Sequence, residues 1–338
     1  MIQSNSVSTP LEKGMKLRKG LPHEQLEDTS HYQAIIGSVN YVAMGTRPDL
    51  AHTSSLLSQY SSCPNMTHLK AAKHMLRYLN GTKEHELFFP SNGSFTLEGY
   101  SDADYATCLD TRRSFSGYIF KFGEAAISWR SRKQDCVTTS TVESEYVALS
   151  LASRQLKWLL GACSELRIEV KACLKGDNTG SISLVEKNRV NDRSKHIDVH
   201  YHKIREEFQK GTFELFHIES KDNLADIFTK ILPKPTHEKL YNRIRCAQWG
   251  EVLEFLTCST RCTVRSLSQT LRHHRCLTQT FHYKNLRLYR ILRYLMEYYI
   301  SSLSGSNRLP HMFFFVFPSR GLSLESVYIP LELPQDRT

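Results

Sequence analysis

Long apolar runs are missing from this sequence. The longest, MFFFVF at 312–317, is far short of the roughly 20 residues that a membrane-spanning helix needs. The opening MIQSNSVSTPLEKGMKLRKG has no apolar core of the kind a secretory signal carries. Cysteine is present but unorganised: nine residues, at 63, 108, 136, 163, 173, 246, 258, 262 and 276, form no dense framework of the small secreted type. These absences point to a reducing, intracellular compartment, cytoplasm or nucleus. Acidic residues are in deficit, 34 against 44 basic, for a net charge of +10 and a pI near 9.1, a balance that suits a polyanionic partner. No internal repeat is visible. With 40% apolar residues in 338, the chain can bury a sizeable core, which excludes disorder throughout.

Residues 1–30 are polar and read as a linker. From Tyr32 to Leu79, YQAIIGSVNYVAMG and HLKAAKHMLRYLNG have helical spacing and end on glycine, with a third helix, TRPDLAHTSSLLSQYSS, opened by Pro48. A helical unit over 31–90 follows from this. The period then changes: FTLEGYSD, SGYIFKFG and AAISWRS are short β-rich runs, read as an antiparallel meander. In the long helix STVESEYVALSLASRQLKWLLGACSEL, Ser140 and Glu143 sit at capping-box spacing, and Tyr146, Leu149, Leu156, Leu159 and Leu160 lie on or near one face. A strand VKACLKGD, helices over 178–187 and near 198–210, a strand TFELFHI and a helix DNLADIFTK complete a mixed α/β sheet over 91–240. Beyond about residue 245 lysine nearly vanishes, Lys284 being the one lysine after Lys239, so 241–338 is set apart as a tail without an assigned structure.

Four acids fall at corresponding ends of these elements: Asp102 closing the first strand, Glu145 early in the long helix, Asp177 closing the fourth strand, and Asp226 in the last helix. Such placement can converge them on one site. Carboxylate oxygens suit hard divalent cations, and two such ions can activate water and steady the leaving oxygen in phosphodiester hydrolysis. Asp104 and Asp222 are expected as solvated turn acids.

The words YSDADYATCLDTRRSFSGYIF, ISWRSRKQ, TSTVESEYVAL, DNTGSISL, KHIDVHYHKIRE and NLADIFTK, in this order and spacing, resemble the ribonuclease H domain at the C-terminal end of copia-type retrotransposon Pol polyproteins. Upstream, STPLEKG, YQAIIGSVNYVAMGTRPDLAH and HLKAAKHMLRYLNGTK look like the segment that follows the reverse-transcriptase palm, so the likeness spans roughly 1–240. It implies a ribonuclease H-like fold, a mixed five-stranded sheet with flanking helices. It also implies hydrolysis of the RNA strand of an RNA–DNA hybrid, with Asp102, Glu145, Asp177 and Asp226 as catalytic ligands of two Mg²⁺, or Mn²⁺ in their place. The palm with its paired aspartates has no counterpart, so no polymerase activity is expected, and the chain reads as a polyprotein fragment. Tyr105, Phe115 and Gly176 depart from the family's words without removing a carboxylate.

Trp129, Arg130, Arg132 and Lys133 are candidates for contacting the nucleic-acid backbone, with a solvated charge run as the competing reading. His196, His200 and His202 are expected to pack or hydrogen-bond rather than bind metal. In the tail, Cys258, Cys262, His273, His274 and Cys276 match no common zinc spacing. RILR at 290–293 matches the Arg-x-Leu-Arg pattern of secreted oomycete effectors. The alternative to an enzyme is therefore a non-enzymatic descendant of the same fold, a binding protein or an effector acting in a host cell, secreted by a route that needs no visible signal peptide.

Overall fold

The computed structural model describes residues 4–88, 96–187, 199–244 and 246–248. The chain begins with an extended segment carrying a 3₁₀ turn, Pro22–Glu24, and continues through α1 (Ser30–Gly45), a 3₁₀ turn Pro48–Leu50, α2 (Ala51–Ser58) and α3 (Met66–Gly81). After β1 (His85–Leu87) come β2 (Thr96–Asp104), β3 (Phe115–Phe122), β4 (Ala125–Lys133), α4 (Thr141–Glu165), β5 (Lys171–Gly176) and α5 (Thr179–Glu186). A 3₁₀ turn Val199–His202 leads into α6 (Lys203–Gln209) and β6 (Glu214–His217). Two further 3₁₀ turns, Ser220–Asp222 and Leu224–Phe228, precede α7 (Lys234–Arg243) and β7 (Cys246–Gln248).

The main sheet has five strands in the order β4-β3-β2-β5-β6. The meander β2–β3–β4 is antiparallel, while β5 and β6 are added parallel to β2. Parallel addition demands a crossover, and α4 and the α5–α6 pair supply them. The fold class expected from the sequence, a mixed five-stranded sheet flanked by helices, is the one observed. β1 and β7 form a separate antiparallel pair.

α4 forms where expected because Ser140 caps it, its Oγ accepting from Glu143 N at 3.1 Å. The Glu143 carboxylate turns back to accept from Thr139 N at 2.6 Å and Thr139 Oγ1 at 2.9 Å, which closes the reciprocal bond one residue earlier than a simple capping box. Tyr146, Leu149, Leu156 and Leu159 pack on Leu97, Phe120, Phe122 and Leu174 of the sheet. Each such side chain contributes about 1.5–3 kcal/mol when fully buried.

On the opposite face Tyr100, Ile119 and Trp129 meet Leu224, Ile227, Phe228, Leu240 and Tyr241. The helical unit has its own core around Tyr32, Ile36, Val39, Leu57 and Met75. Leu11 and Leu17, in the stretch read from sequence as a linker, are buried in it. Trp129 ties this unit to the sheet, its Nε1 donating to the Ala43 carbonyl at 2.9 Å. The last expected helix is instead the 3₁₀ turn Leu224–Phe228.

Candidate active site

Asp102 lies two residues from the end of β2, buried with 1% exposure. Asp177 follows the last residue of β5, and because β5 runs parallel to β2 both strands end at the same edge of the sheet. Asp226 comes from the turn 224–228, drawn onto the sheet by Asn223. The Asn223 Nδ2 donates to the Ser101 carbonyl at 2.9 Å, and its Oδ1 accepts from Ala225 N at 3.1 Å as the turn's cap. Asp102, Asp177 and Asp226 each place a carboxylate oxygen within 4.8 Å of the others.

Glu145, in the second turn of α4, stands outside that triad but within electrostatic reach of Asp102 and Asp177. Burial, followed by the charges of Asp102 and Asp177, pushes its carboxyl well above the ordinary range. Asp226 is also pushed up, by burial and then by Asp102, with Lys230 acting the other way. Asp104, expected as a solvated turn acid, is half-buried, and burial raises it to about 6. Asp222 is a surface acid paired with Arg243 at 3.0 Å and Lys239 at 3.6 Å.

Three residues of the site escaped the sequence reading. Lys230 places its Nζ 3.2 Å from Asp102 Oδ1 and 2.7 Å from Asp226 Oδ1. Thr229 Oγ1 donates to the other Asp102 oxygen. Ser220 Oγ donates to Asp177 Oδ2 at 2.6 Å. All three lie in IESKDNLADIFTK, but a lysine four residues after an aspartate reads in sequence as an ordinary surface pair.

The expected nucleic-acid surface requires a correction. Trp129 is buried at 3% exposure and bonded to Ala43, so it is a packing residue. Arg130 and Arg132 are exposed, the latter held by Asp135 at 2.8 Å, and Lys133 Nζ lies 3.9 Å from Cys108 Sγ. Residues paired across strands share a face. Register sets Ser131 beside Gly117 and Gly117 beside Asp102, so Lys133 stands on the face of the carboxylates and the two arginines on that of α4. His202 Nδ1 bonds the Tyr146 hydroxyl at 2.8 Å, in keeping with the hydrogen-bonding role expected of it. His196, the zinc candidates Cys258, Cys262, His273, His274 and Cys276, and RILR at 290–293 lie outside the described residues, as does the side chain of His200. Among the described residues no helix is long and apolar enough to cross a membrane.

A meander extended by two parallel strands, with Asp102 in the first and Asp177 just past the fourth and Glu145 in the helix between, is the arrangement that the resemblance to ribonuclease H domains implies. Over 244 residues the chain is 36% identical to the Retrovirus-related Pol polyprotein from transposon TNT 1-94 of Nicotiana tabacum, covering 70% of this chain and 18% of the polyprotein. Over 246 residues it is 35% identical to that from transposon RE1 of Arabidopsis thaliana, covering 72% and 17%. The chain belongs to the copia-type Pol polyprotein family, and it spans less than a fifth of the length of these two relatives. It is also 46% identical over 128 residues to Secreted RxLR effector protein 161 of Plasmopara viticola, covering 38% of this chain and 90% of that protein. No model of a protein family matches. Among solved structures, RNase H1 of Halobacterium salinarum is 18% identical with a TM-score of 0.27, covering 40% of this chain and 94% of that one. LC11-RNase H1 in complex with RNA/DNA hybrid is 16% identical with a TM-score of 0.30, covering 40% and 94%.

Proposed function

We propose that this retroelement-derived protein hydrolyses the RNA strand of RNA–DNA hybrids, with Asp102, Glu145, Asp177 and Asp226 as its catalytic carboxylates. The observation that carries this reading is the meeting of three aspartates within 4.8 Å at one end of the sheet. The donor set fits divalent metal: it is all carboxylate oxygen, and a cation, the Lys230 ammonium, already bridges Asp102 and Asp226. Two Mg²⁺, or Mn²⁺ in their place, would supply a nucleophilic water and stabilise the leaving oxygen.

The chain's own residues orient that chemistry. Asp102 is fixed by the rigid strand and by Thr229; Asp177 is held by Ser220 and by His217, whose Nε2 lies 3.1 Å from the Asp177 carbonyl. Burial, and then the charges of Asp102 and Asp177, push the Glu145 carboxyl up, and a cation held by the site would favour its charged form. Arg130, Arg132 and Lys133 offer exposed or half-exposed cations to phosphates, and an A-form hybrid is recognised largely through phosphates and 2′-hydroxyls. The test is cleavage of an RNA–DNA hybrid in Mg²⁺ by the wild type and Asp102→Asn. Cleavage lost in the variant supports the site, and a folded wild type that leaves the hybrid intact rejects it.

A second reading, a non-enzymatic effector acting in a host cell, is favoured by the resemblance to the Plasmopara viticola protein over 90% of its length. It expects Asp102→Asn to leave any host-cell phenotype unchanged; loss of that phenotype counts against it.

A further inference from the structure

Lys230 is the cation set among the carboxylates, and its bonds distinguish it from a surface lysine. Its Nζ bridges Asp102 Oδ1 at 3.2 Å and Asp226 Oδ1 at 2.7 Å, and the Asp102 side chain it reaches is only 1% exposed. The second Asp102 oxygen is already occupied by the Thr229 hydroxyl. Both Asp102 oxygens are thus engaged before any ion arrives, and one of the two Asp226 oxygens with them. Three carboxylates within 4.8 Å repel one another, and among the described residues Lys230 is the ammonium that ion-pairs with two of them. Its side chain keeps 34% of its surface exposed, so the flexible stem can carry the charge outward to water without burying it elsewhere.

We propose that Lys230 is a resident counter-ion of the site: it holds Asp102 and Asp226 together in the metal-free protein and competes with a divalent ion for the same two oxygens. Lys230 is in this sense a positioning residue, acting through the carboxylates. The inference rests on the metal-binding reading above. It has two consequences that oppose each other in sign. Removing the ammonium weakens the metal-free fold, because the aspartates face one another unscreened. The same removal tightens divalent binding, because no cation must be displaced.

The experiment titrates Mn²⁺ alone into the EDTA-treated full chain by calorimetry and measures its melting temperature with and without Mn²⁺. The proteins compared are wild type, Lys230→Met, Lys230→Gln, Asp177→Asn and Lys221→Met, the last removing an exposed lysine paired with Glu219 outside the carboxylate cluster. Lys230→Met is expected to melt below wild type without metal, to bind Mn²⁺ about tenfold more tightly, and to gain more in melting temperature on saturation. Lys221→Met should bind like wild type. Should Lys230→Met fail to fold, Lys230→Gln, which keeps length and hydrogen bonding without charge, carries the comparison. Equal or weaker Mn²⁺ binding in the Lys230 variants, with wild type binding, overturns the proposal alone. Wild-type binding that Asp177→Asn abolishes upholds the metal reading independently, whereas no Mn²⁺ binding by any protein removes the metal reading and the proposal together.

Discussion

Gly117 pairs directly with Asp102 across β2 and β3, and a Cβ placed on it would stand 2.6 Å from Phe228 Cβ and 2.8 Å from Thr229 Cγ2. Hydrogen at this position lets the turn 224–228 lie flat on the sheet, and that approach brings Thr229, Lys230 and Asp226 to Asp102. The constraint is one of space, since the close neighbours are the last residue of that turn, Phe228, and its C-cap, Thr229. Gly117→Ala is expected to cost about 1–3 kcal/mol, the usual scale of overpacking, read as a lower midpoint in urea. Hybrid cleavage should fall more than stability does, because the displaced turn carries Asp226.

Trp129 supplies a second test, and it separates packing from recognition. Its indole donates to the Ala43 carbonyl from a fully packed position on β4. Trp129→Phe keeps most of the apolar area and deletes the donor, leaving a buried carbonyl without that partner; a loss of about 1–3 kcal/mol follows. Hybrid affinity should stay within about twofold of wild type, because at 3% exposure the ring meets no ligand. Filter binding at fixed salt, beside an unfolding curve, measures both; a large loss of affinity in a stably folded variant would return Trp129 to the nucleic-acid surface.

The helical unit meets the sheet through His52, whose Nδ1 lies 3.3 Å from Ser131 Oγ and whose ring stands edge-on to Phe115 at 5.3 Å. Burial drives the imidazole down to about 4 from an ordinary 6.5. The folded protein therefore holds His52 neutral where the unfolded chain would protonate it. Stability from this group is fully present above pH 6.5 and is lost as pH falls through about 4, by up to about 3 kcal/mol. His85, lowered to about 4, and His237, also lowered, both chiefly by burial, act in the same direction. Unfolding free energies between pH 4 and 7.5 should show a shallower acid slope in His52→Asn than in wild type, and equal slopes would refute the assignment.

Much of the fold was legible because periodicity changes where the elements change. The strand run around Asp102, the capped start of α4 and the order of the four acids all follow from local spacing. Trp129 shows a signal that was available and went unread: in ISWRSRK the strand period of two sets Trp129, Ser131 and Lys133 on one face and Arg130 and Arg132 on the other. Reading the run as a charge cluster merged the two faces. α7 was missed because its apolar contacts are sparse, with His237, Leu240 and Tyr241 as its buried residues. Lys230 was missed for a different reason, since its place among the acids is set by the tertiary path of the turn from Asn223 to Thr229, and local spacing carries no trace of it.

A buried polar cluster lies between the helical unit and α7. Arg47 Nη2 pairs with Asp49 Oδ2 at 2.7 Å with both side chains buried, Tyr78 donates to the same oxygen at 2.7 Å, and Arg47 Nη1 donates to the Thr82 carbonyl at 2.8 Å. Burial pushes the Asp49 carboxyl up, but the Arg47 guanidinium and the Tyr78 hydroxyl override it and hold it below the ordinary value. A buried pair need not exceed an apolar substitute in stability, yet breaking it strands a charge. Asp49→Asn should accordingly cost about 3–5 kcal/mol, while Arg47→Met with Asp49→Leu together should cost less than Asp49→Asn alone. Because Tyr78 also packs edge-on against His237 of α7 at 5.7 Å, the single variant should loosen α7 as well, seen as faster amide exchange across 234–243. Additive costs in the double variant would show that the pair contributes by packing alone.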